Sequence, residues 1–245
     1  MISKLLPNGF KEADLYAQGF RLFEALTMIG YLFAGLLLPI FSNMLARKEN
    51  PSELVNTSFK LIQAVAIGLA AFLFVNAVEI IDLRMTNTPG ELYTSSTSFS
   101  ILMLCFIGMC CTYIYGTLLT ANGSLKHLNY MALGGMLLNI ILNLFFIPQW
   151  GAIGAAIASA VTQVLTALAQ MILAHRLLKL RGTLNSSIRV ILFALITLSV
   201  LFAFKWDSIL ANLIWSGSVA LVLALLFGLI DLKDIRTVIA KKQNG

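Results

Sequence analysis

The chain has 245 residues, of which 59% are hydrophobic and only 11% are charged, and its formal net charge is +6. A soluble domain carries about a quarter charged residues, so these proportions exclude an ordinary soluble protein. They also exclude a disordered chain, which needs low hydrophobicity and high charge. The composition indicates an integral membrane protein.

Stretches without Asp, Glu, Lys or Arg predict the membrane spans in chain order. The longest of them, residues 128–174, is about twice the roughly 20 residues that a helix needs to cross a bilayer. Pro148 and Gly151 interrupt it, which predicts two helices there and seven spans in total. The predicted spans are residues 25–46, 61–78, 99–121, 130–147, 152–174, 190–204 and 208–230.

The predicted fold class is an all-α membrane protein, because these stretches lack the alternating pattern of barrel strands. Strict alternation of seven spans puts 12 of the 17 Lys and Arg residues on the side of the C-terminal tail. The positive-inside rule therefore predicts that the C-terminus is cytoplasmic. The positive net charge is interpreted as a topology signal, and we expect no nucleic-acid partner.

The same topology places residues 1–24 outside the cytoplasm, although they have no apolar signal-peptide core. We therefore expect that a preceding span is missing and that the chain is part of a longer protein. Four segments follow from this interpretation. They are an extracytoplasmic segment with the helix start (1–24), a lobe of five spans (25–180), two additional spans (181–230) and a basic cytoplasmic tail (231–245).

Charged side chains near the start of the first span are candidates for a transport path. A continuous helix over residues 13–46 would be about 50 Å long, which exceeds the hydrocarbon thickness and places Arg21 and Glu24 near its outer end. Because they are three residues apart on one face, they can form an interfacial ion pair. The functional alternative is a charged rim where an anionic headgroup meets a cavity.

Three amides within the spans are further candidates for the substrate path. Asn139 and Asn143 are four residues apart on one face of the fourth span, and Gln163 belongs to a polar stripe of the fifth. Amides in hydrocarbon need partners, either across a helix interface or in a wet cavity, and the sequence leaves both alternatives open.

The fifth span begins with small residues at intervals of four, a pattern that lets helix backbones approach closely. The predicted packing residues are Gly151, Gly154, Ala155, Ala158 and Ser159. The sequence shows no phosphate-binding glycine loop, no nucleophile paired with a histidine base and no histidine pair at metal-ligand spacing. We therefore expect no catalytic residue, no metal, no cofactor and no enzymatic activity.

Two segments carry a resemblance to a known family. The first joins YAQGFRLFE at residues 16–24 to YLFAGLLLPIF at residues 31–41, and the second is NIILNLFFIPQWGAIGAAIAS at residues 139–159. Together they resemble the C-terminal half of Wzx-type polysaccharide biosynthesis proteins. These are lipid-linked oligosaccharide flippases of the multidrug/oligosaccharidyl-lipid/polysaccharide exporter superfamily.

The resemblance covers roughly residues 13–180 and implies one lobe of a two-lobed flippase, followed by additional C-terminal helices. It implies a lipid-linked glycan as substrate, membrane lipids and a missing N-terminal lobe as partners, and the bacterial inner membrane as the location. It also implies a role in polysaccharide or O-antigen biosynthesis, with Arg21 as the cation that matches a cavity position. Three alternatives stay open: a drug or cation exporter of the same superfamily, a membrane-embedded glycosyl- or acyltransferase, and an inactive fragment.

Overall fold

The structure is a computed structural model that describes residues 1–83, 88–181, 183–206 and 208–230, so the predicted basic tail at 231–245 lies outside the described residues. Within them the chain is helical and has no strand, which confirms the predicted fold class. The helices are α1 (Ile2–Leu5), α2 (Gly9–Ala46), α3 (Ser52–Val75), α4 (Ala77–Asp82), α5 (Pro89–Ala121), α6 (Leu125–Leu178), α7 (Thr183–Ala203) and α8 (Ile209–Leu226).

Six of the described helices are long and apolar enough to cross a membrane, namely α2, α3, α5, α6, α7 and α8. The chain is therefore a multi-pass membrane protein. Each of these helices pairs its backbone N–H and C=O groups internally. A spanning segment needs this because hydrocarbon contains no water to bond those groups. The first of them begins at Gly9, four residues before the helix start expected from the sequence.

Helix α6 reverses direction at Gly151 and crosses the membrane twice. A straight helix of its 54 residues would be about 81 Å long, but Gly151 has the non-helical angles φ 55° and ψ −128°. Asn139 Nδ2 donates a hydrogen bond to Thr162 Oγ1 at 3.3 Å, although a straight helix would separate these residues by about 35 Å. We name residues 125–150 the first arm and residues 152–178 the second arm, and the number of crossings becomes the predicted seven.

The direction of the neighbouring helices supports seven crossings. Helices α2 and α5 run parallel, since Ser95 Oγ donates to the Leu15 carbonyl at 3.0 Å and a Cβ on Gly19 would lie 2.9 Å from the Phe99 Cβ. Parallel neighbours need an intervening crossing, which α3 supplies. Gln63 of α3 donates to the Ile107 carbonyl of α5 at 3.2 Å.

Helix α5 also runs parallel to the second arm of α6. Cys105 lies against the Ser159 carbonyl, and Gln163 Nε2 donates to Thr112 Oγ1 at 2.9 Å. These contacts advance in the same direction along both helices. The first arm must therefore cross the membrane between them, as the reversal at Gly151 allows.

Helix α5 forms the centre of the packed bundle between α2, α3 and the second arm. Its largest side chains are almost completely buried, and they are Phe99, Leu102, Met103, Phe106, Ile114, Tyr115, Leu118 and Leu119. The first arm, in contrast, exposes most of its apolar side chains. Lipid, rather than water, is the solvent that accepts such a surface.

A polar network attaches the last helix to the rest of the bundle. Asn212 Nδ2 of α8 donates to Asn76 Oδ1 and to the Trp206 carbonyl, both at 2.8 Å. Beside this network, Lys205 forms an ion pair with Glu79 at 2.5 Å. Asn76 and Asn212 are buried, and each is hydrogen-bonded, as burial of an amide requires.

We predict that Gly151→Ala destabilises the protein. An L-residue at this backbone conformation is strained by about 1–3 kcal/mol, and its Cβ would overlap the Glu12 carboxylate. Thermal unfolding in detergent measures the effect. The control is Gly134→Ala, because Gly134 is helical with no atom within 4 Å of an added Cβ, and this change should be neutral or stabilising. Equal stability of Gly151→Ala and the unmodified protein would contradict the reversal.

Candidate functional site

An exposed polar face in the N-terminal half of α2 is the candidate site. Asp14, Arg21 and Glu24 are all exposed along this helix. Their spacing places them on one side of the helix, away from the buried Leu15 and Phe23. We name this surface the α2 face and define it by Asp14, Arg21 and Glu24 together with the exposed apolar residues Met28, Tyr31 and Leu32.

Contacts with α5 give the depth of the α2 face. The pairs Leu15–Ser95, Gly19–Phe99 and Gly30–Cys110 all differ by 80 positions. Arg21 and Glu24 therefore lie level with residues 101 and 104 of α5, at the start of its predicted span 99–121 and just before the predicted start of the first span at residue 25. An ionisable group at such a depth favours a functional interpretation.

Arg21 and Glu24 do not form the ion pair that the sequence allowed. Among the described residues, the ion pairs are Lys11–Glu91 and Lys205–Glu79. Both α2 side chains point away from the packed bundle and are exposed. Their charges are therefore available to a molecule that approaches this face.

The amides Asn139, Asn143 and Gln163 lie at helix contacts. Asn143 Nδ2 donates to Asn139 Oδ1 at 2.8 Å, while Asn139 donates across the hairpin to Thr162. Gln163 donates to Thr112 of α5. Of the two alternatives left open by the sequence, the structure shows interhelical and intrahelical hydrogen bonding, and it does not bring these amides together with Arg21.

The small residues of the second arm lie at close contacts, with one correction. A Cβ on Gly154 would overlap the Phe146 carbonyl, and Ala155 packs with Ile2 and Ile147. Ala158 is fully buried, and Ser159 Oγ hydrogen-bonds Tyr16 at 3.4 Å. Gly151 does not belong to the helical packing stripe, because its backbone is not helical and forms the reversal instead.

Glu12 is a structural residue that the sequence analysis missed. Its Oε2 accepts a hydrogen bond from the Ala152 backbone N–H at 2.9 Å. The first N–H groups of a helix have no partner within the helix, and a carboxylate at this position also complements the helix dipole. The signal available in the sequence was the helix start after Gly151, which needs an acceptor from elsewhere in the chain.

The neighbouring Lys11 attaches the same end of α2 to α5. Lys11 Nζ lies 2.6 Å from Glu91 Oε1, and Glu91 also accepts from the Thr88 hydroxyl and backbone N–H at 2.7 Å. The hydrogen bond from Lys11, followed by those from Thr88, lowers the pKa of the Glu91 carboxyl to about 2. Glu91 precedes the charge-free part of α5, so this ion pair lies at the membrane surface.

A cleft of about 350 Å³ opens at the N-terminal end of α2, between the start of this helix and the α6 reversal. Its lining residues are Leu6, Pro7, Asn8, Glu12, Thr94, Pro148, Gln149, Trp150 and Gly151. The carboxylate of Glu12 is engaged by Ala152. Within the described part of the chain, no three His, Cys, Asp or Glu residues form a group that could hold a metal ion.

Four chains of known structure match this fold. One of them is the lipid II flippase MurJ in an inward closed conformation, with a TM-score of 0.67 and 17% sequence identity. The match covers 96% of this chain and 52% of that chain, so this chain spans about half the length of that flippase. This likeness shows the fold alone, and it confirms the predicted all-helical membrane fold with the arrangement of about half of that protein. No protein-family model and no curated protein matches the sequence significantly.

We predict that Glu12→Ala lowers the free energy of unfolding by about 1–2 kcal/mol, because it leaves a helix N–H of the second arm without its acceptor. Glu12→Gln keeps an acceptor oxygen but removes the charge, so it should have a smaller effect. The control is Glu24→Ala on the same helix, which removes an exposed carboxylate and should leave stability within about 0.5 kcal/mol. Equal effects of Glu12→Ala and Glu24→Ala on thermal unfolding would contradict the capping role.

Proposed function

We propose that this chain is one lobe of a flippase that moves a lipid-linked oligosaccharide across the bacterial inner membrane, with its C-terminus in the cytoplasm. The observation that supports the proposal most is the similarity of 96% of the chain to about half of a lipid flippase. The Wzx-like segments at residues 16–24, 31–41 and 139–159 favour a polysaccharide precursor, such as that of O-antigen, as the cargo.

The chemistry of the cargo explains why a protein is needed. Sugars and phosphates cannot enter hydrocarbon without losing their hydration, at a cost of several kcal/mol for each unpaired polar group. A hydrated cavity between two lobes would carry the headgroup, while the lipid tail stays in the bilayer. Alternating access of this kind needs a second lobe that rocks against this one, and we propose a missing N-terminal lobe as that partner.

In this proposal, Arg21 binds the phosphate of the carrier lipid. Its guanidinium is exposed on the α2 face, level with residue 101 of α5, and it forms no ion pair with Glu24. An arginine presents several donors to phosphate oxygens in a fixed plane, which suits it to this contact. Glu24, one turn deeper, would contact sugar hydroxyls.

In this proposal, the amides Asn139, Asn143 and Gln163 contribute to transport indirectly. Their donors are engaged in helix contacts. We propose that they act mainly by holding the hairpin and α5 together, and that they meet substrate only if the lobe repacks during transport.

Arg21→Ala should reduce export of the glycan about 10- to 100-fold, which corresponds to the loss of a charge-assisted contact with phosphate. Arg21→Lys should retain part of the activity, because it keeps the charge but not the planar donors. Surface polysaccharide in cells that depend on the whole protein measures export, at matched protein levels. Arg176→Ala, at an exposed cation in the last turn of α6, is the control. Full export by Arg21→Ala would reject the role.

A drug or cation exporter is the second candidate, and one observation favours it. Such an exporter needs an acidic group that faces the cavity, and Asp14 and Glu24 are exposed on the α2 face. Cation export would be abolished by Glu24→Gln and little affected by Arg21→Ala. The flippase proposal expects Arg21→Ala to have the larger effect.

A further inference from the structure

An apolar groove runs along the outside of the bundle between α3 and α8. Neither of these helices contributes to the α2 face. It encloses about 220 Å³. Val65 and Leu221 on its two walls are about half exposed, at 44% and 54%, so the groove opens away from the packed core. Ser216 is the one hydroxyl that lines it, and its Oγ donates to the Leu213 carbonyl.

The groove has the length of one membrane leaflet. Its α8 wall extends from Leu213 to Ala224, and eleven residues of helix rise about 16 Å. Half of the hydrocarbon thickness is about 15 Å. A single extended acyl chain that starts at one membrane surface would therefore fill the groove to the middle of the bilayer.

Among the described residues, three cationic ones lie near one end of the groove. Below Ala224 the chain turns at Gly228, where Lys60 Nζ donates to the Gly228 carbonyl at 3.5 Å. Arg189 Nη1 lies 3.4 Å from the position of a Cβ on Gly228. Asn56 Nδ2 donates to the backbone carbonyl of Arg181 at 2.8 Å. Asn56 lies one turn before Lys60 on α3. The sequence predicts that this end is cytoplasmic.

The opposite end of the groove is bounded by Phe72 and Leu213, close to the neutral pair of Asn76 and Asn212. The cation beside that pair, Lys205, forms an ion pair with Glu79. A lipid with an anionic headgroup therefore fits the groove in one orientation, with its phosphate at Gly228 and its tail toward Leu213. Basic pockets between helices at the cytoplasmic surface recognise anionic lipid headgroups in this way.

We propose that the α3–α8 groove binds one resident anionic phospholipid of the predicted cytoplasmic leaflet, whose acyl chain lies along Gly68 and Gly217 and whose phosphate meets Lys60 and Arg189. The lipid covers the outside of the contact between α3 and α8, where a Cβ on Gly68 would lie 3.0 Å from the Ala220 Cβ. This site concerns a lipid that stays bound and is separate from the cargo of the α2 face.

The test compares two lipids that differ only in headgroup charge. The full chain in detergent is titrated with phosphatidylglycerol or with phosphatidylethanolamine of the same acyl chains, and binding is followed by native mass spectrometry and by the shift in Tm. Phosphatidylglycerol should bind more tightly and raise Tm further. Lys60→Gln and Arg189→Gln should each weaken its binding about fivefold, as expected for the loss of one cation near the lipid phosphate.

Gly217→Leu tests the groove itself. No atom lies within 4 Å of a Cβ on Gly217, so the larger side chain fills the groove without displacing protein and should abolish binding of both lipids. Gly134→Leu on the first arm, also with open space, is the matched control and should leave binding unchanged. Equal binding of the two headgroups, or full binding by Gly217→Leu, would overturn the proposal. Tighter groove binding of a polyprenyl phosphate than of phosphatidylglycerol would also overturn it and assign the groove to the transported carrier.

Discussion

The reversal of α6 at Gly151 determines the arrangement of the other helices. In hydrocarbon each span must satisfy its own backbone groups, so a chain can change direction only where a turn meets the membrane surface. Gly151 supplies the backbone conformation, and Glu12 from α2 accepts the N–H of Ala152 that the new helix start leaves unpaired. Because the first arm returns across the membrane, the second arm runs parallel to α5. Its small residues then form close contacts with α5 and with the first arm.

Hydropathy and charge predicted the number of spans, since a stretch of 47 uncharged residues broken by Pro148 and Gly151 has no other stable arrangement in a bilayer. They could not predict which helices become neighbours. Lipid tails are as apolar as leucine, so helix pairing depends on small residues and individual hydrogen bonds such as Gln63 to Ile107. The partner of Glu12 lies 140 positions away, and a local pattern contains no information on such a contact.

The candidate site was predicted in part. The spacing of Arg21 and Glu24 gave their common face, and the structure shows that face exposed but without the expected ion pair. Three amide side chains are as polar as residues that contact substrate, yet their N–H groups donate to other residues of the bundle. They belong to Asn139, Asn143 and Gln163. Polarity within a span identifies a group that needs a partner, while only the three-dimensional packing identifies the partner. Charged residues without such a partner are therefore the more specific guide to a transport path.

Single-cysteine labelling at the two ends of the first arm tests the reversal most directly. Ser124→Cys and Gln149→Cys place reactive thiols at either end, in a chain whose native Cys105, Cys110 and Cys111 are replaced by Ala because Cys111 is partly exposed. With a membrane-impermeant maleimide, Gln149→Cys should react in cells whose inner membrane is intact. Ser124→Cys should react only after that membrane is permeabilised. Labelling of both positions from the same side would contradict the seven-crossing lobe.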